Sequence, residues 1–262
     1  MPPLVSLITP TYGRARLLVE TKRWVESQTY ANLEWLVLDD SPEPNLLLSA
    51  ATDTRIRYVH DPARQTIGAK RNRLVEMARG DYIVHIDDDD YYAPTYVETM
   101  IARMEQESAD FASLCSWYVY DLRYDFFGFW VMRVTEGLHY GLYADGTRLM
   151  NLSADNNAAF RDNYLGYGFS YVYSRRAWEA GGFGDVNWNE EGAFVAGARS
   201  RYPHLPVADE TGLVLHVAHP ISCSTCYPQY RLPTFLLPRL FPAPSGFLGQ
   251  LRRAAQAPRA AT

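Results

Sequence analysis

The sequence predicts an α/β domain in which a mostly parallel β-sheet is flanked by helices. Strand-like and helix-like segments alternate through the first half of the chain, a pattern typical of successive βαβ units. Acidic residues follow two of the predicted strands. A chain of 262 residues, 47% of them hydrophobic, can bury one complete core. These observations favour a single domain with an appended segment.

Each element is predicted from a local pattern. Short runs of apolar and β-branched residues indicate strands at residues 4–9, 34–38, 56–60 and 81–86. Helices are expected after Gly13, near Gly68 and after Pro94, where apolar residues recur at three- and four-residue spacing. If the strands are parallel neighbours, the residues that follow them meet at one edge of the sheet. Those residues are Tyr12, Asp39, Asp40 and Asp87 to Asp90.

Four consecutive aspartates, Asp87 to Asp90, follow the predicted strand 81–86. Carboxylate oxygens are the ligands that Mg²⁺ and Mn²⁺ prefer, often together with substrate phosphates. The alternative is a solvated acidic turn at a helix N-terminus, where the helix dipole favours aspartate. One or two carboxylates would satisfy that dipole, so four in a row favour a metal site.

Charge and cysteine content exclude some classes of protein. A net charge of −5 argues against a nucleic-acid partner, because phosphate backbones require basic surface. Met1 leads directly into a strand-like segment, and no 18-residue apolar run occurs. The three cysteines, Cys115, Cys223 and Cys226, form no disulfide framework. We therefore expect a cytoplasmic protein.

Four segments resemble glycosyltransferase family 2, the nucleotide-sugar transferases with the Rossmann-like GT-A fold. They are residues 5–14, 35–41, 68–72 with 80–82, and 86–90 with Pro94, in the family's order and spacing. The resemblance implies a catalytic domain over residues 1–229, with a nucleotide-binding half (1–110) and an acceptor-binding half (111–229). It also implies an inverting, metal-dependent enzyme using Mn²⁺ or Mg²⁺. The donor would be a UDP or GDP sugar, and the acceptor a hydroxyl of a saccharide, lipid or protein.

The resemblance also implies nucleotide contacts. Pro10 and Tyr12 match the positions that pack on and hydrogen-bond the nucleotide, and Asp40 matches the acid that accepts the ring N–H of the base. The alternative for Asp40 is a capping aspartate at a turn. Arg64 and Arg71 face the base or the diphosphate, unless they are ordinary solvated arginines.

In the acidic run, the resemblance makes Asp89 the direct metal ligand. Asp87 or Asp88 would reach the ribose or a metal-bound water. Asp87 is also a candidate metal ligand, and Asp90 would orient its neighbours. His219 would complete the metal's coordination. A competing interpretation is a zinc site, because four potential ligands lie close together in the sequence: His216, His219, Cys223 and Cys226. For His216 alone we prefer a hydrogen-bonded histidine of the core.

The catalytic base is expected at Glu191, where the family usually has aspartate. Glutamate keeps the carboxylate but adds a methylene, so it reaches about 1 Å further. Glu190 is the alternative base. Alternatively, both glutamates are only the first residues of a helix, since acidic residues are favourable in a first turn.

Two later regions of the sequence each have two interpretations. The aromatic segment 117–143 is either a wall for the acceptor or a hairpin packed on the core. The polar loops 155–157 and 162–163 are candidate acceptor contacts. The extension 230–262 either contacts an anionic membrane or a subunit edge, or is loosely packed and partly disordered.

Two other functions compete with sugar transfer. A nucleotidyltransferase also holds metal and nucleotide at strand ends, but residues 10–14 lack its glycine-rich phosphate loop. A catalytically silent sugar-nucleotide or carbohydrate-binding protein is the other alternative.

Overall fold

The structure is a computed structural model that describes residues 2–153, 163–220, 224–244, 246–249 and 251. Its strands are β1 (Val5–Thr11), β2 (Leu33–Asp39), β3 (Ile56–His60), β4 (Tyr82–His85), β5 (Tyr91–Tyr92), β6 (Phe111–Asp121), β7 (Phe126–Val131), β8 (Gly137–Tyr143), β9 (Gly146–Leu152), β10 (Val172–Ser174), β11 (His204–Ala208), β12 (Val214–Ala218) and β13 (Tyr230–Leu232). Its helices are α1 (Ala15–Glu26), α2 (Leu46–Ser49), α3 (Ile67–Met77), α4 (Tyr96–Gln106), α5 (Arg175–Glu179), α6 (Glu191–Arg201) and α7 (Leu237–Leu240).

Eleven of these strands form one mixed sheet. Its first half is parallel, in the spatial order β4, β1, β2, β3. The second half adds β10 and β7 antiparallel to their neighbours, while β11 and β12 lie parallel to β6. Thr11, the last residue of β1, pairs with Asp39, the last residue of β2. The predicted α/β fold with a mostly parallel sheet is confirmed, and the strand ends converge as expected.

The helices pack through the faces that the apolar spacing predicted. Helix α1 buries Leu17, Leu18, Trp24 and Val25, and α4 buries Val97, Ile101 and Met104. Helix α3 differs in part, because Lys70 and Arg71 are buried while Met77 is only partly buried. Two buried cations on one helix indicate that α3 faces the acidic strand ends.

Most of the aromatic segment forms the β6–β7 hairpin, whose inward rings lie in the core, while Tyr140 and Tyr143 lie on β8 and are partly buried. The rings of Trp117, Tyr120, Phe127 and Trp130 are at most 3% exposed. Trp117 pairs directly with Trp130 across the two strands. The core-hairpin interpretation therefore accounts for this segment better than an acceptor wall.

The described part of the C-terminal extension packs on the domain. Its first residues form β13, which pairs antiparallel with β7. Further on, Leu237, Phe241, Phe247 and Leu251 are buried in one cluster with residues of α1, β5 and β6. The apolar side chains that suggested a membrane or subunit contact thus cover the protein's own core. No helix among the described residues is both long and apolar enough to span a bilayer.

Packing of the extension predicts that Phe247→Ala destabilises the protein by about 3–5 kcal/mol, the usual cost of removing a buried phenylalanine. Phe247 is 0% exposed and its ring lies 6.0 Å from that of Trp24. Phe235, 64% exposed in the same extension, provides the matched control. Phe235→Ala should change the free energy of unfolding by less than about 0.5 kcal/mol. Equal losses for both variants in guanidinium denaturation would contradict this packing.

Candidate active site

A cleft of about 570 Å³ opens at the edge where β1 and β4 end. Its lining includes three groups of residues: Pro10 in β1 with Arg14 after it, Asp87 to Asp89 after β4, and Trp188 to Glu191 at the start of α6. Tyr167, Phe169, His216 and Tyr227 also line the cleft. Acidic groups from distant parts of the chain therefore share one solvent-accessible space.

Asp88 is held by the last residue of β1 and by the turn that follows it. The Thr11 hydroxyl donates to one carboxylate oxygen of Asp88 at 2.5 Å, and the Arg14 guanidinium donates to the other at 2.5 Å. Arg14 also donates to Asp89 at 2.7 Å. Arg14 was not singled out from the sequence, although its place just after a strand end was a usable signal. It is the cation that lets two adjacent carboxylates lie side by side.

Two histidines, His216 on β12 and His219 just after it, also contact the acidic run. His219 Nε2 lies 3.0 Å from Asp89, and His216 Nδ1 lies 3.0 Å from Asp90. Burial would lower the pKa of His216, but the facing carboxylate of Asp90 raises it well above the usual range. His216 is buried and hydrogen-bonded as preferred from the sequence, yet its partner belongs to the acidic run.

The arrangement fits a divalent cation. Asp87, Asp89 and Asp90 each offer an oxygen, and these atoms lie within 4.8 Å of one another. Burial and the neighbouring carboxylates raise the pKa of Asp87 to about 7, although Arg71 opposes that shift. Because hard oxygen donors carry excess negative charge here, the donor set suits Mg²⁺ or Mn²⁺.

The structure places the predicted metal ligands as follows. Asp87 and Asp89 lie in this group together with Asp90, whereas His219 lies outside the group and hydrogen-bonds Asp89. No cluster of three histidine or cysteine ligands occurs in the part of the chain that the structure describes. Cys223 and the candidate acceptor loop 155–157 lie outside that part, as do the side chains of 162–163.

Asp40 lies beside the cleft in a second group. Its fully buried carboxylate accepts from Lys70 Nζ at 2.7 Å, from the backbone N–H of Gln65 at 2.9 Å and from Arg64. The Arg64 guanidinium lies 3.6 Å from the centre of the Tyr12 ring. The structure thus brings the predicted nucleotide residues Tyr12, Asp40 and Arg64 together. Lys70, which the sequence analysis missed, neutralises Asp40 within the protein.

The two glutamates at the start of α6 have different environments. Glu190 accepts a hydrogen bond from Arg71, whose guanidinium also lies 3.6 Å from Asp87. Glu191 is 8% exposed, and its Oε2 has no hydrogen-bond partner among the described residues. Burial and the adjacent Glu190 raise the pKa of Glu191 to about 7. One carboxylate is therefore committed to an ion pair, and the other is available.

Solved structures of sugar transferases share this fold. A structure of S. aureus TarS in complex with UDP-GlcNAc superposes with a TM-score of 0.60 and 15% identity, covering 82% of this chain and 58% of that one. The mannosyltransferase PcManGT from Pyrobaculum calidifontis, in complex with GDP-Man and Mn²⁺, superposes with a TM-score of 0.57 and 20% identity. The match covers 83% of this chain and 57% of that one. At these identities the likeness shows the fold alone, which is GT-A.

Sequence comparisons agree. A UDP-Glc:alpha-D-GlcNAc-diphosphoundecaprenol beta-1,3-glucosyltransferase of Escherichia coli, WfaP, is 30% identical over 118 residues, which are 44% of this chain and 47% of the relative. This and two other curated relatives are matched over less than half of their own length. The sequence model described as "Glycosyl transferase family 2" matches residues 6–165, more than half of the chain. The chain therefore belongs to glycosyltransferase family 2.

Proposed function

We propose that this protein is an inverting, metal-dependent glycosyltransferase that moves a sugar from a nucleoside-diphosphate sugar to an acceptor hydroxyl. One observation carries the proposal. Two buried polar atoms in the cleft, Arg71 Nε and Glu191 Oε2, lack hydrogen-bond partners among the described residues. Four other described buried atoms also lack partners, but Arg71 and Glu191 are the two such residues that line this cleft, where a ligand can supply the missing partner. A guanidinium suits a phosphate, and a carboxylate suits an acceptor hydroxyl.

The acidic run and its cations would hold the diphosphate end of the donor. Asp87, Asp89 and Asp90 are the residues that would hold Mn²⁺ or Mg²⁺. When bound, the metal would neutralise charge developing on the leaving nucleoside diphosphate. Arg71 contributes its unpaired donor to the phosphates. The Mn²⁺ and GDP-Man named for PcManGT, and the UDP-GlcNAc named for TarS, support a donor of this class.

The group around Asp40 would hold the nucleobase. Pro10 packs against the nucleotide, and Asp88 reaches toward its ribose. The Arg64 guanidinium now covers the Tyr12 ring and contacts Asp40. A planar base replacing that guanidinium would stack on the same ring and donate its N–H to the same carboxylate. This arrangement accommodates a uracil or a guanine, so the donor can be of UDP or GDP type.

Glu191 is the proposed base. It takes the proton of the acceptor hydroxyl while the acceptor oxygen bonds to the anomeric carbon and the bond from that carbon to the diphosphate oxygen breaks. A single displacement of this kind inverts the anomeric centre and forms no covalent intermediate with the protein. A pKa near 7 suits a general base, because the group is then partly ionised yet basic enough to accept a proton. Glu190 instead keeps Arg71 in place.

Nucleotidyl transfer and binding without catalysis account for fewer features of the cleft than sugar transfer does. The turn after β1 presents Pro10 and Arg14 to the cleft rather than a glycine-rich phosphate loop. Sugar-nucleotide binding alone gives no role to a buried carboxylate with a raised pKa. The acceptor class, a cytoplasmic location and peripheral membrane contact through the extension stay predictions, although the lipid-linked acceptor named for WfaP is compatible with them.

Glu191→Gln is expected to reduce transfer by about 10²- to 10⁴-fold, because the amide cannot take a proton. Donor binding should stay unchanged, since Glu191 does not contact the metal group. Coupled assays of sugar transfer measure the first effect. Thermal shifts with UDP and GDP sugars measure donor binding. Glu107→Gln, on an exposed glutamate after α4, is the matched control. Normal transfer by Glu191→Gln would remove Glu191 as the base.

The expected pH dependence of kcat/KM follows from the ionisation of Glu191. A base works only when it is deprotonated, and burial raises the pKa of Glu191 to about 7. We therefore expect kcat/KM to rise with pH through about 7 with a slope of one and then to level. Glu107→Gln should reproduce this profile. A profile that is flat across this range, measured with saturating metal, is incompatible with Glu191 as the proton acceptor.

Asp89→Asn should abolish metal-dependent donor binding. With donor and Mn²⁺ at 100 times Kd, linkage predicts an increase in the wild-type Tm of roughly 5–10 °C. The variant should show no Mn²⁺-dependent increase, because the amide removes a charged oxygen ligand. Asp81→Asn, on an exposed residue before β4, should keep the full shift. A metal-dependent shift in Asp89→Asn equal to wild type would place the metal elsewhere.

A further inference from the structure

Trp188 is an exposed tryptophan on the rim of the cleft. It is 78% exposed, whereas Trp24, Trp35, Trp117 and Trp130 are at most 6% exposed and Trp178 is partly buried. All six tryptophans of the sequence lie in the described part of the chain. Single exposed apolar side chains are common on protein surfaces, but Trp188 is the one exposed tryptophan, and it lines the cleft, where its ring offers an apolar face to a ligand.

The loop that carries Trp188 is firmly attached to the start of α3. The Gly68 N–H donates to the Val186 carbonyl at 3.2 Å, and the Ile67 N–H donates to the Asn187 side chain at 3.0 Å. At Gly68 an added Cβ would lie 1.7 Å from the Gly184 carbonyl oxygen, so the two segments are in direct contact. Trp188 is therefore presented on an anchored loop, with its ring directed to solvent.

The position of Trp188 relates it to the proposed base. Both residues line the same cleft, and Glu191 follows only three positions later. Three residues span at most about 10 Å between their Cα atoms, a distance that one sugar ring and its hydroxyl can bridge. A sugar stacked on the indole would thus place a hydroxyl near the carboxylate of Glu191.

The surroundings of Trp188 favour a sugar over an acyl chain or an apolar peptide. Asn187 and Asn189 flank it and are exposed, and both line the cleft. Side-chain amides match the hydroxyl groups of a sugar, while the indole face matches its apolar C–H face. An acyl chain would instead need a continuous apolar surface.

We propose that Trp188 is the acceptor platform and that the acceptor presents a pyranose ring to it. This inference rests on the proposed function, because it assumes that the cleft transfers a sugar. It narrows the acceptor from any hydroxyl compound to a saccharide or a saccharide-bearing molecule. Trp188 binds and orients the acceptor and takes no part in proton transfer.

The test uses the methyl glycosides of glucose, galactose, mannose and N-acetylglucosamine as probes. Iodide quenching of fluorescence, taken as the difference between wild type and Trp188→Phe, isolates the emission of Trp188. At least one glycoside should protect Trp188 from iodide. With that glycoside as acceptor, Trp188→Ala should raise the acceptor KM about tenfold, and Trp188→Phe should restore most of the loss.

Phe235→Ala is the matched control, since it removes another exposed ring outside the cleft. It should leave the acceptor KM unchanged. The thermal shift with donor nucleotide should be equal in all four proteins. The inference is overturned if no glycoside protects Trp188, if Trp188→Ala keeps the wild-type acceptor KM, or if Trp188→Ala changes only the oligomeric state.

Binding and turnover of the nucleotide sugar distinguish failure of the acceptor platform from failure of the proposed function. If the wild type hydrolyses or transfers from a UDP or GDP sugar while Trp188→Ala matches it with every glycoside, the acceptor platform alone is wrong. If the wild type neither binds nor turns over any nucleotide sugar, the proposed function fails, and the platform fails with it.

Discussion

The excess of negative charge after β4 is the constraint on which the rest of the site depends. Four consecutive carboxylates follow a buried strand, and two of them, Asp88 and Asp90, are themselves buried, so solvent screens their mutual repulsion little. Arg14, in the turn after β1, bridges Asp88 and Asp89. His216 on β12 faces Asp90, and His219, just after β12, faces Asp89. These partners come from two distant parts of the chain, so the acidic run is stabilised only once the sheet has assembled around it.

Partial neutralisation has a functional consequence. A fully paired cluster would be a structural ion network, and removing one partner from such a network typically costs about 3–5 kcal/mol. Here burial is the main cause of the raised pKa of Asp87, while the neighbouring carboxylates add to the shift and Arg71 opposes it. Under the proposed function, a divalent ion would bind at this opening of the cleft. The same ionic contacts hold the strand ends together.

Arg71 connects the two ends of the cleft. It is buried on α3, binds Glu190 and lies 3.6 Å from Asp87, so a single guanidinium contacts both the base segment and the metal group. Because Glu190 is held by this ion pair, Glu191 remains the available carboxylate. A phosphate that binds Arg71 would alter the field at both glutamates. Under the proposed function, this side chain would link donor binding to proton acceptance.

By itself, the sequence determined the α/β class, the parallel direction of the first strands and the acidic strand ends, because apolar periodicity and strand-end acids are local patterns. Its family resemblance singled out Tyr12, Asp40 and Glu191 as candidate site residues. Only the tertiary structure showed Arg14 and Lys70 as partners of the acids, Asp90 in the metal group and the extension as part of the core. These features depend on contacts between residues far apart in the chain, and ion pairs and packing of that kind leave no periodic signal in the sequence.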